Sequence, residues 1–147
     1  MKNSKKAFTM IELIFVVVII GFLASIAVPK FANTKSIADI ANARSDIAAI
    51  RAAIISERQG QLIKGVRTYI PKLTPNATIS VLFTGDGTRT LLRYGLPKGT
   101  GAGEWNRASD TSYSFYSGND TTTFTYTVAN GSFDCTAGAN DCDALVH

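Results

Sequence analysis

Histidine, cysteine and tryptophan are scarce in this chain: one histidine, two cysteines and one tryptophan in 147 residues. With His147 alone there is no histidine pair for acid–base work. A zinc site at Cys135 and Cys142 would need two further ligands. No G-x-x-x-x-G-K-[ST] phosphate loop occurs. The Gly-x-Gly-x-Gly of Gly99, Gly101 and Gly103 lacks the strand-and-helix context that gives such glycines meaning. Nothing assembles a catalytic constellation, so the chain is read as a non-enzyme with no resident cofactor. Long apolar runs are also few. Beyond Pro29 none approaches membrane length, which limits the chain to a single span. Finally, Ala108 to His147 contains five aspartates and no lysine or arginine.

What is present is concentrated at the start. Leu13 to Val28 reads LIFVVVIIGFLASIAV, with Ser25 its one polar side chain. With Phe8 to Ile11 the stretch reaches about 20 residues, enough at about 1.5 Å each for the roughly 30 Å hydrocarbon core. Lys2, Lys5 and Lys6 precede it, a positive-inside signal that places the N-terminus in the cytoplasm and exports the rest. They also supply most of the formal charge of +4. The remainder is segregated: twelve basic and five acidic residues between Lys30 and Arg107, then aspartates alone. That polarity suits end-to-end contacts between copies, an acidic loop holding a cation, or simply two solvated faces.

Three readings of the apolar segment compete. A cleaved secretory signal would use Ser25-Ile26-Ala27 as a small-x-small site. A plain anchor would hold an exported domain, such as a periplasmic binding domain. Neither explains Glu12, a carboxylate inside the apolar region, where a charge is expensive and usually functional. The third reading does. Lys6-Ala7-Phe8-Thr9-Met10-Ile11-Glu12 resembles the processing site of type IV prepilins and of the pseudopilins of type II secretion and DNA-uptake systems. The family pattern is a small residue, a cut, Phe, Thr, two apolar residues and Glu before an apolar run. The usual small residue is Gly, and Ala7 is a less common variant. The resemblance covers Phe8 to about Arg58 and is architectural beyond.

The resemblance implies removal of residues 1–7 by a prepilin peptidase between Ala7 and Phe8, with Thr9 next in the motif, and methylation of the Phe8 amine. Glu12 would then pair with the Phe8 amine of an adjacent subunit and set the axial register in a filament. A carboxylate resting at the head-group interface is the alternative. Partners would be other copies and pilin-like subunits, the peptidase and an inner-membrane assembly platform. The subunit would sit in the bacterial inner membrane as a single-pass protein with a periplasmic head, then enter a periplasmic or surface filament.

The expected fold is α+β and pilin-like: one long helix over about 8–58 against a small antiparallel sheet. Residues 8–29 would form the membrane or filament-core half, 30–58 an amphipathic half and 59–147 the head. The stripe Ile37, Ile40, Ala43, Ile47, Ile50, Ile54 steps by three and four, and Gly60 marks an end. Pro29 and Gly21 are weak points, and the family's filaments can unwind between such positions. In the head, Ile79 to Phe83 and Arg89 to Tyr94 read as short strands about Gly85-Asp86-Gly87. Leu96 to Gly103 reads as irregular, and Trp105 as a core anchor. Tyr113 and Phe115, then Phe124, Tyr126 and Val128, alternate with polar residues. Phe133 follows Asn130-Gly131, a two-residue hairpin turn.

Cys135 and Cys142 enclose six residues, and in an exported chain they read as a disulfide worth roughly 2.5 kcal/mol. Asp134, Asn140, Asp141 and Asp143 lie in or beside that loop as candidate Ca2+ ligands, although the spacing is not an EF-hand. Lys64, Arg67, Lys72, Arg89 and Arg93, with Tyr69 and Tyr94 among them, form a candidate nucleic-acid strip. The expected function is a structural filament subunit of type II secretion or of a type IV pilus, with a DNA-uptake pseudopilin as the alternative.

Overall fold

A computed structural model describes residues 8–118 and 120–146, with backbone alone at 29 and 31–35. The chain divides into two compact units, the first ending at Lys35 and the second beginning at Ser36. Helix α1 spans Met10–Ile63, 54 residues without interruption. It begins at Thr9 and ends in a Schellman cap. Gly65, at φ +80°, donates its N–H to Leu62 at 3.0 Å, and Val66 donates to Gln61 at 2.9 Å. The expected end near Arg58 is therefore a turn early. Gly60 lies in open space inside the helix, and Gly65 is the residue that supplies the left-handed turn. The backbone stays helical through Gly21 and Pro29.

Six strands follow. β1 (Val81–Leu82) pairs with β2 (Leu96–Pro97). β3 (Glu104–Arg107), β4 (Ser112–Tyr116), β5 (Thr121–Thr127) and β6 (Ser132–Cys135) form an antiparallel meander in that order. A short helix, α2 (Cys142–Val146), follows β6. The meander has one apolar face because its inward positions alternate: Trp105, Tyr113, Phe115, Phe124, Tyr126 and Phe133 are all buried. Ala43, Ile47, Ile50 and Ile54 of α1 share one core with them. Each of these isoleucines is worth about 1.5–3 kcal/mol on burial. Ile37 departs from the expected stripe: it is 70% exposed, and Ile40 is the first isoleucine the core covers.

The aromatic rings meet mostly edge to face or tilted, with Phe83 at 4.6 Å from Tyr113 and 5.7 Å from Trp105. Phe83 is buried with φ at +62°, an uncommon backbone for a non-glycine. Buried Thr74 holds it there. The Thr74 hydroxyl accepts the Phe83 N–H at 3.1 Å and the Tyr113 hydroxyl at 3.2 Å. Phe83 thus leaves the strand instead of ending it. β1 pairs with Leu96–Pro97 rather than with Arg89–Tyr94, where only a single bridge, Thr90 to Gly85, forms. The Leu96–Gly103 segment is correspondingly less irregular than expected. Trp105 is the core anchor, but on a strand. The turn at Asn130-Gly131 is longer than two residues: Thr127 pairs with Ser132, so residues 128–131 form the loop. Gly131, at φ +75°, lets the Tyr69 ring lie where a Cβ would stand, 2.3 Å away.

Polar contacts tie α1 to the head. The Trp105 Nε1–H donates to Asp46 at 3.0 Å, and burial raises the pKa of Asp46. Arg89 grips Glu57 through two bonds of 2.6 Å, and the two side chains are only 14% and 5% exposed. Removing one partner from a buried pair leaves an uncompensated charge. Glu57→Gln is therefore expected to cost about 3 kcal/mol, and Glu57→Leu combined with Arg89→Met distinctly less. Denaturant unfolding followed by the fluorescence of Trp105 checks both. Tyr126 donates to the Ile70 carbonyl at 2.8 Å, and burial pushes its pKa up to about 12. Because the folded state holds that proton more tightly, stability is retained below the ordinary tyrosine range near pH 10 and falls as pH rises towards 12. Tyr126→Phe should flatten the fall in unfolding midpoint over that interval.

Candidate functional site

The N-terminal turn of α1 is the most structured polar feature of the first unit. Thr9 stands at the N-cap and Glu12 at the third helical position, the spacing of a capping box. Glu12 Oε2 accepts the Thr9 N–H at 3.1 Å and the Thr9 hydroxyl at 3.0 Å, and the Glu12 N–H reaches the Thr9 hydroxyl oxygen at 3.3 Å. Both bonds to the carboxylate use one oxygen. The other, Oε1, has no partner among the described residues. The Thr-x-x-Glu pattern was readable in the sequence and was missed there, because Glu12 drew attention as a buried charge and not as a cap.

Below the box, Met10–Val28 is long and apolar enough to cross a membrane by length and composition. Its large apolar side chains are uncovered, from Met10 at 80% exposed to Ile19 at 42%. Ile11, Glu12, Ile14, Phe15 and Val18 line one open groove beside the carboxylate. Phe8 lies exposed just ahead of the box. Ala7, the other side of the expected cut, lies outside the described residues, as does the Pro29 side chain.

The other candidate sites come apart. Cys135 and Cys142 do form a disulfide, with Cα atoms 5.9 Å apart. The oxygen-bearing residues near it do not converge. Asp134 pairs with Arg51 at 2.5 Å, Asn140 donates to the Thr121 carbonyl, Asp141 accepts the Ser117 hydroxyl, and Asp143 accepts the Gly138 N–H. Among the described residues no three His, Cys, Asp or Glu side chains gather as a metal set. The basic strip is likewise not one surface. Arg89 belongs to the buried pair with Glu57, and Lys72 donates to the Pro75 carbonyl at 2.6 Å. Tyr69 is covered by Arg58 at 4.8 Å, and Arg93 lies over Tyr94. Of the strip, Lys64, Arg67 and Arg93 stand exposed without an ion pair among the described residues, and Arg93 is turned onto Tyr94.

The family model for the prokaryotic N-terminal methylation motif matches residues 2–28. The chain carries the N-terminal segment of the type IV pilin and pseudopilin family. It is similar to the type IV major fimbrial protein FimA of Dichelobacter nodosus, 43% identical over 37% of this chain and 35% of that protein. It is 40% identical to type II secretion system core protein G of Klebsiella michiganensis, over 36% of this chain and 37% of the relative. A fimbrial protein of Pseudomonas aeruginosa is 40% identical over 52% of this chain and 46% of its own length. The match thus spans between about a third and just under half of these relatives. No solved structure matches significantly. The architecture, a long N-terminal helix and a small antiparallel sheet, agrees with the pilin-like fold that the motif implies.

The capping box gives this pilin-like N-terminus a measurable property. Thr9→Val removes the hydroxyl that accepts the Glu12 N–H and donates to Glu12 Oε2. Loss of an N-cap side chain costs about 1 kcal/mol, so amide exchange in the first turn of the membrane-inserted protein should quicken by about fivefold. The core amides near Ile50 should not change.

Proposed function

We propose that this protein is a structural subunit of a type IV pilus-like filament, serving type II secretion or a type IV pilus. It is held before assembly in the inner membrane by Met10–Val28, with the N-terminus cytoplasmic and the head periplasmic. A prepilin peptidase removes residues 1–7 and methylates the Phe8 amine. An assembly platform then draws the subunit from the membrane.

One observation carries this reading: a carboxylate half-satisfied by its own cap at the head of an uncovered apolar helix. An unpaired charge is costly away from water. Glu12 keeps Oε2 bonded to Thr9 in the single subunit, which lowers that cost without abolishing it. Oε1 can accept a further donor. The Phe8 amine of a neighbouring subunit is a cation created on the residue just before the box, and it suits that oxygen. The pairing fixes how far one helix slides along the next, while the exposed side chains of Ile14, Phe15 and Val18 supply the apolar contact around it.

The test has two parts. N-terminal sequencing and mass analysis of the membrane protein should find a chain beginning at methylated Phe8. A start after Ala27 would instead establish a cleaved secretory signal and overturn the reading. Glu12→Leu should remain inserted and processed but enter filaments at about one tenth of the wild-type level or less, a loss comparable to one unpaired contact of about 1.4 kcal/mol. Normal incorporation of that variant would remove the pairing. Deletion strains assayed for secretion and for surface filaments distinguish the two machines.

A further inference from the structure

The head has two chemically opposite ends, and both can be placed from its own contacts. At one end the terminus of α1 meets the β5–β6 loop. Arg58 donates to the Val66 carbonyl at 3.1 Å and covers Tyr69, whose ring lies against Gly131. Here Lys64 and Arg67 are exposed, beside Leu62, Ile63 and Val66, which are 47%, 89% and 40% exposed. Asp110 lies on the loop after β3 at this end, but Arg107 already pairs with it. At the other end the β4–β5 connection meets the segment before α2. The Ser117 hydroxyl contacts Asp141, its N–H reaches the Asp120 carbonyl at 2.9 Å, and Asn140 holds Thr121. Asp120, Asp141 and Asp143 are carboxylates of this end, and Glu104 joins them through its register with Tyr116. Arg44 and Lys98 are cations near it: Arg44 donates to the Ala144 carbonyl, and Lys98, next to the Gly99 that lies against Glu104, donates to the Ala77 carbonyl.

β5 runs from the acidic end, at Thr121, to the basic end, at Thr127, a rise of about 20 Å. The two ends of one head therefore cannot touch each other.

We propose that the apolar, basic end of one copy docks on the acidic end of the next, a head-to-tail contact between second copies of this chain. The occupant is chosen by charge complementarity: the surface that best opposes Lys64 and Arg67 is the carboxylate end of another copy. Joining unlike ends is heterologous, so each copy leaves a free end for the next, and within the proposed filament the contact repeats as an open helical array. The apolar lip of Leu62, Ile63 and Val66 gives the contact a dry centre, and the charges set its direction. The inference rests on the filament reading and adds to it a second, head-level register independent of Glu12.

Filaments of the full wild-type chain treated with a carbodiimide, which joins an amine to a touching carboxylate with loss of water, should yield Lys64 linked to Asp120, Asp141 or Asp143. Such a link must join two copies, because of the separation within one. Filaments in which Lys64 stays unlinked while other lysines couple would overturn the proposal. Lys64→Glu with Arg67→Glu, or Asp120→Lys with Asp143→Lys, should each cut filament yield about tenfold at equal subunit level, and combining all four should restore it to within about threefold. Unchanged yield in both paired variants would overturn it too. If the processed wild-type chain forms no filament at all, it is the filament reading that falls.

Discussion

A sheet with one apolar face is unfinished until something covers that face, and this head depends on its cover. The buried aromatics of β3 to β6 present a surface too large to leave in water, and the Ala43–Ile54 stripe closes it. Everything else in the head is arranged to keep that contact in register. Asp46, Arg51 and Glu57 leave the helix at successive levels and bond respectively to Trp105, to the Phe133 carbonyl with Asp134, and to Arg89. A one-residue slip of the helix would unmake all three at once, so polar contacts of modest individual worth fix the alignment that non-directional apolar burial cannot.

The same logic, read at the other end of α1, explains the capping box. There the side chains are apolar on every side and nothing among the described residues covers them. A helix start in such surroundings leaves N–H groups without partners. Thr9 and Glu12 satisfy two of them and neutralise part of the carboxylate's cost through the helix dipole. A leucine at position 12 would be the better membrane residue and the worse cap. The carboxylate is thus locally tolerable, and its second oxygen is the acceptor that the proposed pairing would use.

Much of this was legible in the residues. The Ile40–Ile54 steps of three and four, and the alternation of Phe124 and Tyr126 with threonines, are periodic signals set by burial, and burial is what they report. The motif around Glu12 was legible because its residue types and spacing are demanding. What was not legible depends on contacts distant in sequence. Phe83 looks like a strand residue, and only Thr74 and Tyr113 turn it into a left-handed kink. Arg89 looks like a surface cation until Glu57 of the helix is placed beside it. Gly60 and Gly65 are equally plausible helix stops by composition, and the choice falls to whichever lets Val66 return to Gln61. Asp134, Asn140, Asp141 and Asp143 share a stretch of sequence but go to four different partners, because α1, β5, the β4–β5 connection and the loop itself each claim one.

The continuity of α1 through Pro29 bears on how such a helix could change. From Ala43 onward its backbone is held by the core, so opening it would cost the head. Between Gly21 and Pro29 no core side chain holds it. Proline removes the bond to the Ser25 carbonyl, and glycine adds backbone freedom. Yet a lone subunit in lipid has no replacement donors, and each exposed backbone group there costs several kcal/mol. The sequence weakness is therefore silent in the membrane, where the intact helix is the only satisfied state. In the proposed filament, neighbouring helices would surround that stretch and supply the partners that lipid lacks. Local sequence sets where the helix would open, and its surroundings would set whether it does.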